Sequence, residues 1–118
     1  MSRLTDDAGA LAVLEGLGVR PADAGLTVVQ FSTAFCGPCR ATRARLQQLR
    51  ATRPGLAYLH VDAESHLDAV RALGVERTPT LFSVDRHGAI GRIDGAPGPA
   101  ELAAAVDAVL GGRTTVSG

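Results

Sequence analysis

The chain has 118 residues and contains neither lysine nor tryptophan, and it has one tyrosine and three phenylalanines. All twelve basic residues are therefore arginine, so no side-chain amine is available as a base or for a Schiff base. Because aromatic residues are so few, the core must be built from leucine, valine and alanine. The formal net charge is zero, which argues against a dedicated binder of nucleic acid or anionic membranes.

Long apolar runs are also missing. No segment approaches the roughly 20 apolar residues that a membrane span needs. The N-terminal stretch "MSRLTDDAGALAVLEGLG" places acids before a weak apolar segment, whereas a secretory signal has a basic start and a continuous apolar run. We therefore expect a cytoplasmic protein that does not associate with membranes.

Hydrophobic periodicity and turn residues predict the order helix, strand, helix, strand, helix, strand, strand, helix. The predicted helices cover about residues 5–17, 40–53, 66–73 and 99–110, and the predicted strands cover residues 26–33, 56–61, 80–84 and 89–93. Strands that alternate with helices imply a parallel portion, and the hairpin turn at residues 85–88 adds an antiparallel edge. The sequence thus predicts an α/β fold with a central mixed sheet of about four strands, flanked by helices on both faces.

Local signals add more detailed predictions. Thr5 is predicted to cap the first helix, and Ser65 to cap the third, with Asp68 completing a capping box. The side chains predicted to face the core from the third and fourth helices are Leu67, Val70, Leu73, Leu102, Val106 and Val109.

The only two cysteines lie in the stretch "FCGPCR", at the junction of a buried strand and a helix. Pro38 suits the first turn of that helix, where N–H groups are unpaired. Those N–H groups and the helix dipole favour an anion, so the pKa of the Cys36 thiol is expected to fall below its free value. Cys39, one turn in, is expected to be more buried and protonated. This asymmetry suits thiol–disulfide exchange, in which one thiol attacks and the second resolves.

Two other interpretations of the cysteines stay open. The thiols could be inert, although Gly-Pro between them favours a redox pair. A zinc site would need two more ligands from His60, His66 or His87, at an unusual spacing. We interpret these histidines as a structural residue on a strand, a solvated residue in a first helical turn and the exposed tip of a hairpin.

The stretches "VVQFSTAFCGPCR", "RTPTLF" and "GAPGPAEL" together resemble the thioredoxin family, from about Leu26 to Leu110. The resemblance implies a single thioredoxin-like domain over residues 1–118, with a core over about 26–110, an N-terminal helix and loop over 1–25 and a flexible tail over 111–118. It also implies that Cys36 attacks, that Cys39 resolves, and that Pro79 is a cis-proline lying against the pair.

The resemblance implies a protein-disulfide oxidoreductase, which reduces disulfides of substrate proteins. The residues expected to bind substrate are Phe35, Gly37, Pro38, Thr78, Pro79 and Gly95. The backbone of Thr78 would pair with an extended substrate peptide, and a side chain at Gly95 would block the substrate groove. We expect no organic cofactor and no metal, a reductase or small thiol as electron donor, and a monomer.

Four residues depart from the family pattern. Phe35 and Ser32 stand where tryptophans are usual, Gln30 replaces a buried aspartate, and Tyr58 replaces a lysine. Because glutamine neither takes up nor releases a proton, the usual relay to Cys39 is missing and resolution is expected to be slower. Loss of the negative charge is also expected to lower the thiol pKa values.

These departures leave other functions open. An oxidant, an isomerase or a redox sensor would use the same dithiol. A binding module would keep the groove and make little use of the thiols. A metal or iron–sulfur carrier would take Cys36 and Cys39 from each of two chains. The arginine-rich helix over residues 40–53 would suit an acidic partner, although a solvated face is the favoured interpretation.

Overall fold

The structure is a computed structural model that describes residues 3–111. The helices are α1 (Arg3–Gly16), α2 (Gly37–Thr52), α3 (Leu67–Leu73) and α4 (Pro99–Leu110), and the strands are β1 (Leu26–Ser32), β2 (Leu56–Asp62), β3 (Thr80–Asp85) and β4 (Ile90–Asp94). The predicted order of elements is confirmed. Of the predicted tail over residues 111–118, residues 112–118 lie outside the described residues.

The four strands form one mixed sheet in the order β2-β1-β3-β4. β1 runs parallel to β2 and antiparallel to β3, and β3 and β4 form an antiparallel hairpin. Gln30, near the end of β1, pairs with His60 of β2 and Leu81 of β3. The predicted mixed sheet is confirmed, and its central strand β1 is buried along its whole length.

Each face of the sheet carries its own apolar cluster. Val29 and Phe31 of β1 point toward the cluster that includes residues of α1 and α3. Leu26 and Val28 point to the opposite face, toward residues of α2 and α4. Because successive side chains of a strand alternate between faces, Gln30 lies on the α2 face, directly beneath the helix that carries the cysteines.

The predicted helix caps are wrong. The chain forms a short 3-10 turn over Ala63–Ser65 before α3 begins, and the hydroxyl of Ser65 donates to the Asp62 carboxylate at 2.8 Å. His66 occupies the N-cap position of α3 without a side-chain hydrogen bond. Asp62 competes successfully for Ser65, so no capping box with Asp68 forms. α1 begins at Arg3, which places Thr5 inside that helix rather than at its cap.

Two predicted core residues are also wrong, since Leu67 is 52% exposed and Val109 is 40% exposed. In α3, Ala69 lies one turn before Leu73 and takes the buried position, while Leu67 falls on the other side of the helix. In the last turn of α4, Leu110 packs against the apolar cluster, and Val109 borders an open cleft.

Candidate active site

Cys36 and Cys39 lie where the end of β1 leads into α2. They form a disulfide with an S–S distance of 2.11 Å and a Cα–Cα distance of 5.2 Å. Cys36 is the N-cap residue of α2, and the backbone N–H of Cys39 donates to its Sγ at 3.1 Å. Pro38 lies in the first turn, as predicted. An N–H at a helix N-terminus that points at Sγ stabilises negative charge there.

The segment Thr78–Pro79 faces the disulfide. Its peptide bond is cis, as predicted, and Pro79 is buried. The Sγ of Cys36 lies 3.8 Å from the carbonyl oxygen of Thr78 and 3.9 Å from its Oγ1. Thr33, which the sequence analysis did not single out, places its Oγ1 3.4 Å from that of Thr78. No local pattern signals this contact, because the two threonines are 45 residues apart.

Gly95 joins this segment from the loop before α4. Its N–H donates to the carbonyl oxygen of Pro79 at 2.8 Å. Its φ of +92° suits glycine, and no atom lies within 4 Å of the position that a Cβ would take. The surface beside Gly95 is therefore open.

The remaining residues predicted to bind substrate lie at the surface around Cys36. Phe35 is 99% exposed, and Gly37 and Pro38 are exposed as well. An aromatic ring fully open to water is unusual in a chain with so few aromatics, and it provides apolar area for contact with another molecule. Arg40 is exposed too, and within residues 3–111 no ion pair involves it.

Behind the disulfide, Gln30 is completely buried. Its Nε2 donates to the carbonyl oxygen of Cys39 at 2.8 Å and to Oγ of Ser32 at 3.0 Å. Its Oε1 accepts from the hydroxyl of Tyr58 at 2.7 Å. Three of the four departures from the family pattern therefore belong to one hydrogen-bond network, which we call the Gln30 network (Gln30, Ser32 and Tyr58).

The sequence marks each of these residues separately as a departure from the family pattern, but it does not show the hydrogen bonds between them. The available signal was a long polar side chain in the middle of an apolar strand, which needs buried partners. Burial raises the pKa of Tyr58 to about 12, although the nearby charge of Arg43 acts in the opposite direction. Tyr58 is therefore a neutral donor at physiological pH.

None of the three histidines lies in β1 or α2, the two elements that flank the cysteines. His60 is exposed on β2, where burial of its ring and the charge of Arg43 lower its pKa. The ring of His66 lies 3.0 Å from the carbonyl oxygen of Asp62, and His87 is exposed in the β3–β4 turn. Within the described range, no group of three or more His, Cys, Asp or Glu side chains could hold a metal ion.

Comparison with known proteins identifies the family. The model of the thioredoxin family, described as "Thioredoxin", matches residues 19–108. Thioredoxin H4-2 of Oryza sativa subsp. japonica is 30% identical over 90 residues, which cover 76% of this chain and 67% of that protein. Thioredoxin-1 of Schizosaccharomyces pombe is 32% identical over 85 residues, which cover 72% of this chain and 82% of that protein.

Solved structures agree on the fold. The crystal structure of thioredoxin from Trypanosoma brucei brucei superposes with a TM-score of 0.70 at 23% identity, covering 84% of this chain and 86% of that one. Some curated relatives are longer, and the chain spans only 51% of the length of thioredoxin H2-1 of Oryza sativa subsp. japonica.

None of the helices in the described part of the chain is long and apolar enough to cross a membrane. The bonded Cys-x-x-Cys pair and the thioredoxin relatives together support a thiol–disulfide oxidoreductase function. The match over residues 19–108, with the mixed sheet and the paired cysteines at the start of α2, shows that the chain belongs to the thioredoxin family.

Proposed function

We propose that the chain reduces disulfides of other proteins, with Cys36 as the attacking thiol and Cys39 as the resolving thiol. The observation that carries this proposal is the disulfide at the N-terminus of α2, beside the Thr78–Pro79 segment, in a chain of the thioredoxin family. Assignment of the two roles rests on position, because Cys36 is the N-cap residue and Cys39 lies inside the first turn.

In the first step, the Cys36 thiolate attacks one sulfur of the substrate disulfide. A bond forms between Cys36 Sγ and that sulfur, the substrate S–S bond breaks, and the other sulfur leaves as a thiolate that takes a proton from solvent. The Cys39 N–H, which donates to Cys36 Sγ in the disulfide form, would stabilise the attacking thiolate.

In the second step, Cys39 loses its proton and its thiolate attacks Cys36 Sγ. The Cys36–Cys39 bond forms, the bond to the substrate breaks, and the substrate leaves with both sulfurs reduced. The product is the disulfide seen in the structure. A reductase or a small thiol would then supply two electrons and two protons to restore the dithiol.

We also propose that Thr78 docks the substrate as an extended strand. Among residues 3–111, no group accepts a hydrogen bond from the Thr78 N–H. The surface beside Gly95, whose N–H bonds the carbonyl oxygen of Pro79, is open, and the ring of Phe35, the neighbour of Cys36 in the chain, is exposed. Backbone pairing at Thr78 would accept many sequences, while Phe35 would favour apolar residues next to the substrate disulfide.

The setting of this activity is likewise proposed. A cytoplasm kept reducing by its thiol systems would return the pair to the dithiol form, and we propose that the chain works there as a monomer without a bound cofactor.

An oxidant or isomerase is the second candidate function. The observation that favours it is the neutral Gln30 bonded beside Cys39, since loss of a buried negative charge favours the thiolate and makes a dithiol pair more oxidising.

The roles of the two cysteines are tested by trapping. A reduced Cys39→Ser variant, mixed with a peptide that contains one disulfide, should accumulate a peptide–Cys36 mixed disulfide detectable by intact mass. The matched Cys36→Ser variant should form much less. Equal adducts on both variants, or none on either, would contradict the assignment.

A further inference from the structure

The orientation of the Gln30 amide follows from its partners. A backbone carbonyl oxygen only accepts, so the atom 2.8 Å from the Cys39 oxygen must be the amide nitrogen. The amide oxygen then faces Tyr58, whose hydroxyl donates to it at 2.7 Å. Ser32 accepts the second amide N–H. All polar groups of this side chain are therefore bonded, and Tyr58 holds the donor toward Cys39.

The bond to Cys39 links two elements that must not shift during resolution. Cys39 lies in the first turn of α2, and Gln30 lies in the central strand β1. The bond therefore fixes the turn that carries the resolving thiol against the most buried strand of the sheet. An ionised carboxylate at position 30 could not make it, because it has no proton to donate and would face another oxygen.

We propose that Gln30, held by Tyr58, is a positioning residue that keeps Cys39 in place for attack on Cys36, and that it does so without adding an ionisable group to the resolving step. This inference rests on the proposed function and deepens it. Gln30 then positions Cys39, whereas the buried acid usual in the family takes part in proton transfer. The Cys39 thiol exchanges its proton with solvent.

Few charged groups surround the network. Tyr58 of β2 is neutral. His60, also of β2, is the residue paired in register with Gln30 of β1. Asp62 lies at the end of β2 beyond His60, and Arg43 of α2 acts on both Tyr58 and His60. On the other side, β3 presents Leu81. Because His60 is the imidazole beside the network, its charge has to be separated from any effect of position 30.

The resolving step can be isolated with a small chromogenic disulfide, dithiobis-nitrobenzoate. The Cys36 thiolate attacks it, releases one coloured thionitrobenzoate and keeps the other as a mixed disulfide. Cys39 then loses its proton to solvent, bonds to Cys36 and releases the second thionitrobenzoate with its electron pair. Stopped-flow absorbance separates the two releases, so attack by Cys36 and resolution by Cys39 are measured in one experiment.

The decisive variant is Gln30→Glu, measured from acid to alkaline pH against the wild type. A protonated glutamic acid can still donate to the Cys39 carbonyl, so the second release should be near the wild-type rate at low pH. Once ionised, it loses that bond and places negative charge beside the attacking thiolate. The ratio of wild-type to variant rates should therefore rise with pH to about tenfold or more.

Three further variants complete the design. Gln30→Leu should slow the second release about tenfold at every pH, and Tyr58→Phe should slow it a few-fold, with the first release unchanged in both. Gln48→Glu makes the same chemical change on the exposed face of α2 and should match the wild type throughout. The Gln30→Glu comparison is repeated in a His60→Gln background, where the same pH dependence is required.

Each outcome decides between the alternatives. A pH-independent ratio for Gln30→Glu, or a wild-type second release in Gln30→Leu, would overturn the positioning role. If Gln30→Glu does not fold, Gln30→Leu and Tyr58→Phe still decide, because a selective loss of the second release is required. If the wild type itself never gives a second release, the proposed function fails, whatever the variants do.

Discussion

The N–H of Gly95 donates a hydrogen bond to the carbonyl oxygen of Pro79 at 2.8 Å. This bond ties the loop before α4 to the segment whose Thr78 carbonyl lies 3.8 Å from Cys36. Gly95 can make the bond because its φ of +92° turns its N–H toward Pro79 while leaving open space on its other side. A single backbone conformation thus joins the loop to the site and keeps the surface beside the site clear.

Gly95→Ala should therefore destabilise the fold and weaken substrate binding. An L-residue at this φ costs about 1–2 kcal/mol, and the new methyl group would enter the open surface. Urea unfolding measures the first effect, and KM for a protein disulfide measures the second. Gly9→Ala is the control, since Gly9 lies exposed inside α1 with space around it and should gain about 0.5–1 kcal/mol. Equal changes in stability for both variants would contradict the backbone argument.

Substitution of Phe35 should affect substrate binding, and substitution of Phe31 should affect the stability of the fold. Phe35→Ser should change the free energy of unfolding by less than about 0.5 kcal/mol, because the ring is 99% exposed. Its kcat/KM should fall about fivefold for a protein disulfide, through lost apolar contact, and stay unchanged for a small disulfide. Phe31→Ala, in the core at 0% exposure, should cost about 3–5 kcal/mol. Equal loss on both kinds of disulfide for Phe35→Ser would show that Phe35 does not contact protein substrates.

Arg92 should stabilise the end of α3. Its guanidinium donates to the carbonyl oxygens of Leu73 and Gly74 at 2.7 and 2.8 Å, and it also bonds Asp94. Arg92→Ala should lower the free energy of unfolding by about 1–2 kcal/mol, and Arg92→Lys should recover only part, because an ammonium lacks the planar fork. Arg71→Ala, which removes an exposed ion pair at 3.6 Å, should change it by about 0.5 kcal/mol or less.

Tyr58 is the only tyrosine in the chain and there is no tryptophan, so phenolate absorbance reports on it alone. Burial raises its pKa to about 12, against about 10 in unfolded chains. The neutral phenol therefore contributes stability that is fully present below about pH 10 and is lost as pH rises through about 12. Absorbance titration should give a midpoint near 12 in the folded protein and near 10 in denaturant. A folded midpoint near 10 would contradict the burial of the Tyr58 phenol.

Much of this fold could be predicted from the sequence, because local patterns determine it. The run "LTVVQFST" is apolar enough to be the buried central strand, and it is β1. The proline at position 99 and the glycine at position 111 predict a helix from Pro99 to Leu110, and α4 begins and ends at those residues. The position of the cysteines followed from the same patterns, since a strand before them and Pro38 after Cys36 place them at a helix start.

The wrong helix cap and the missed hydrogen bonds have a common physical cause. In each case a polar side chain bonds to a partner that the local sequence pattern does not indicate. Ser65 fits the pattern of a helix-capping residue, but its hydroxyl donates to the Asp62 carboxylate instead. The bond from Gln30 to Cys39 spans nine residues and two elements, and the bond from Tyr58 joins neighbouring strands. A single sequence shows that Gln30 is out of place in an apolar strand, but the partners appear only when the sheet is assembled.

Cys36 and Cys39 should exchange between dithiol and disulfide at a potential suited to a reductant. The most direct test equilibrates the protein in glutathione buffers of graded ratio, alkylates the free thiols and counts them by mass. We expect one two-electron transition in which both thiols are lost together, near thioredoxin's value of about −270 mV. A midpoint between about −180 and −120 mV would instead indicate an oxidant or isomerase, and the absence of an intramolecular disulfide at every ratio would contradict the oxidoreductase function itself.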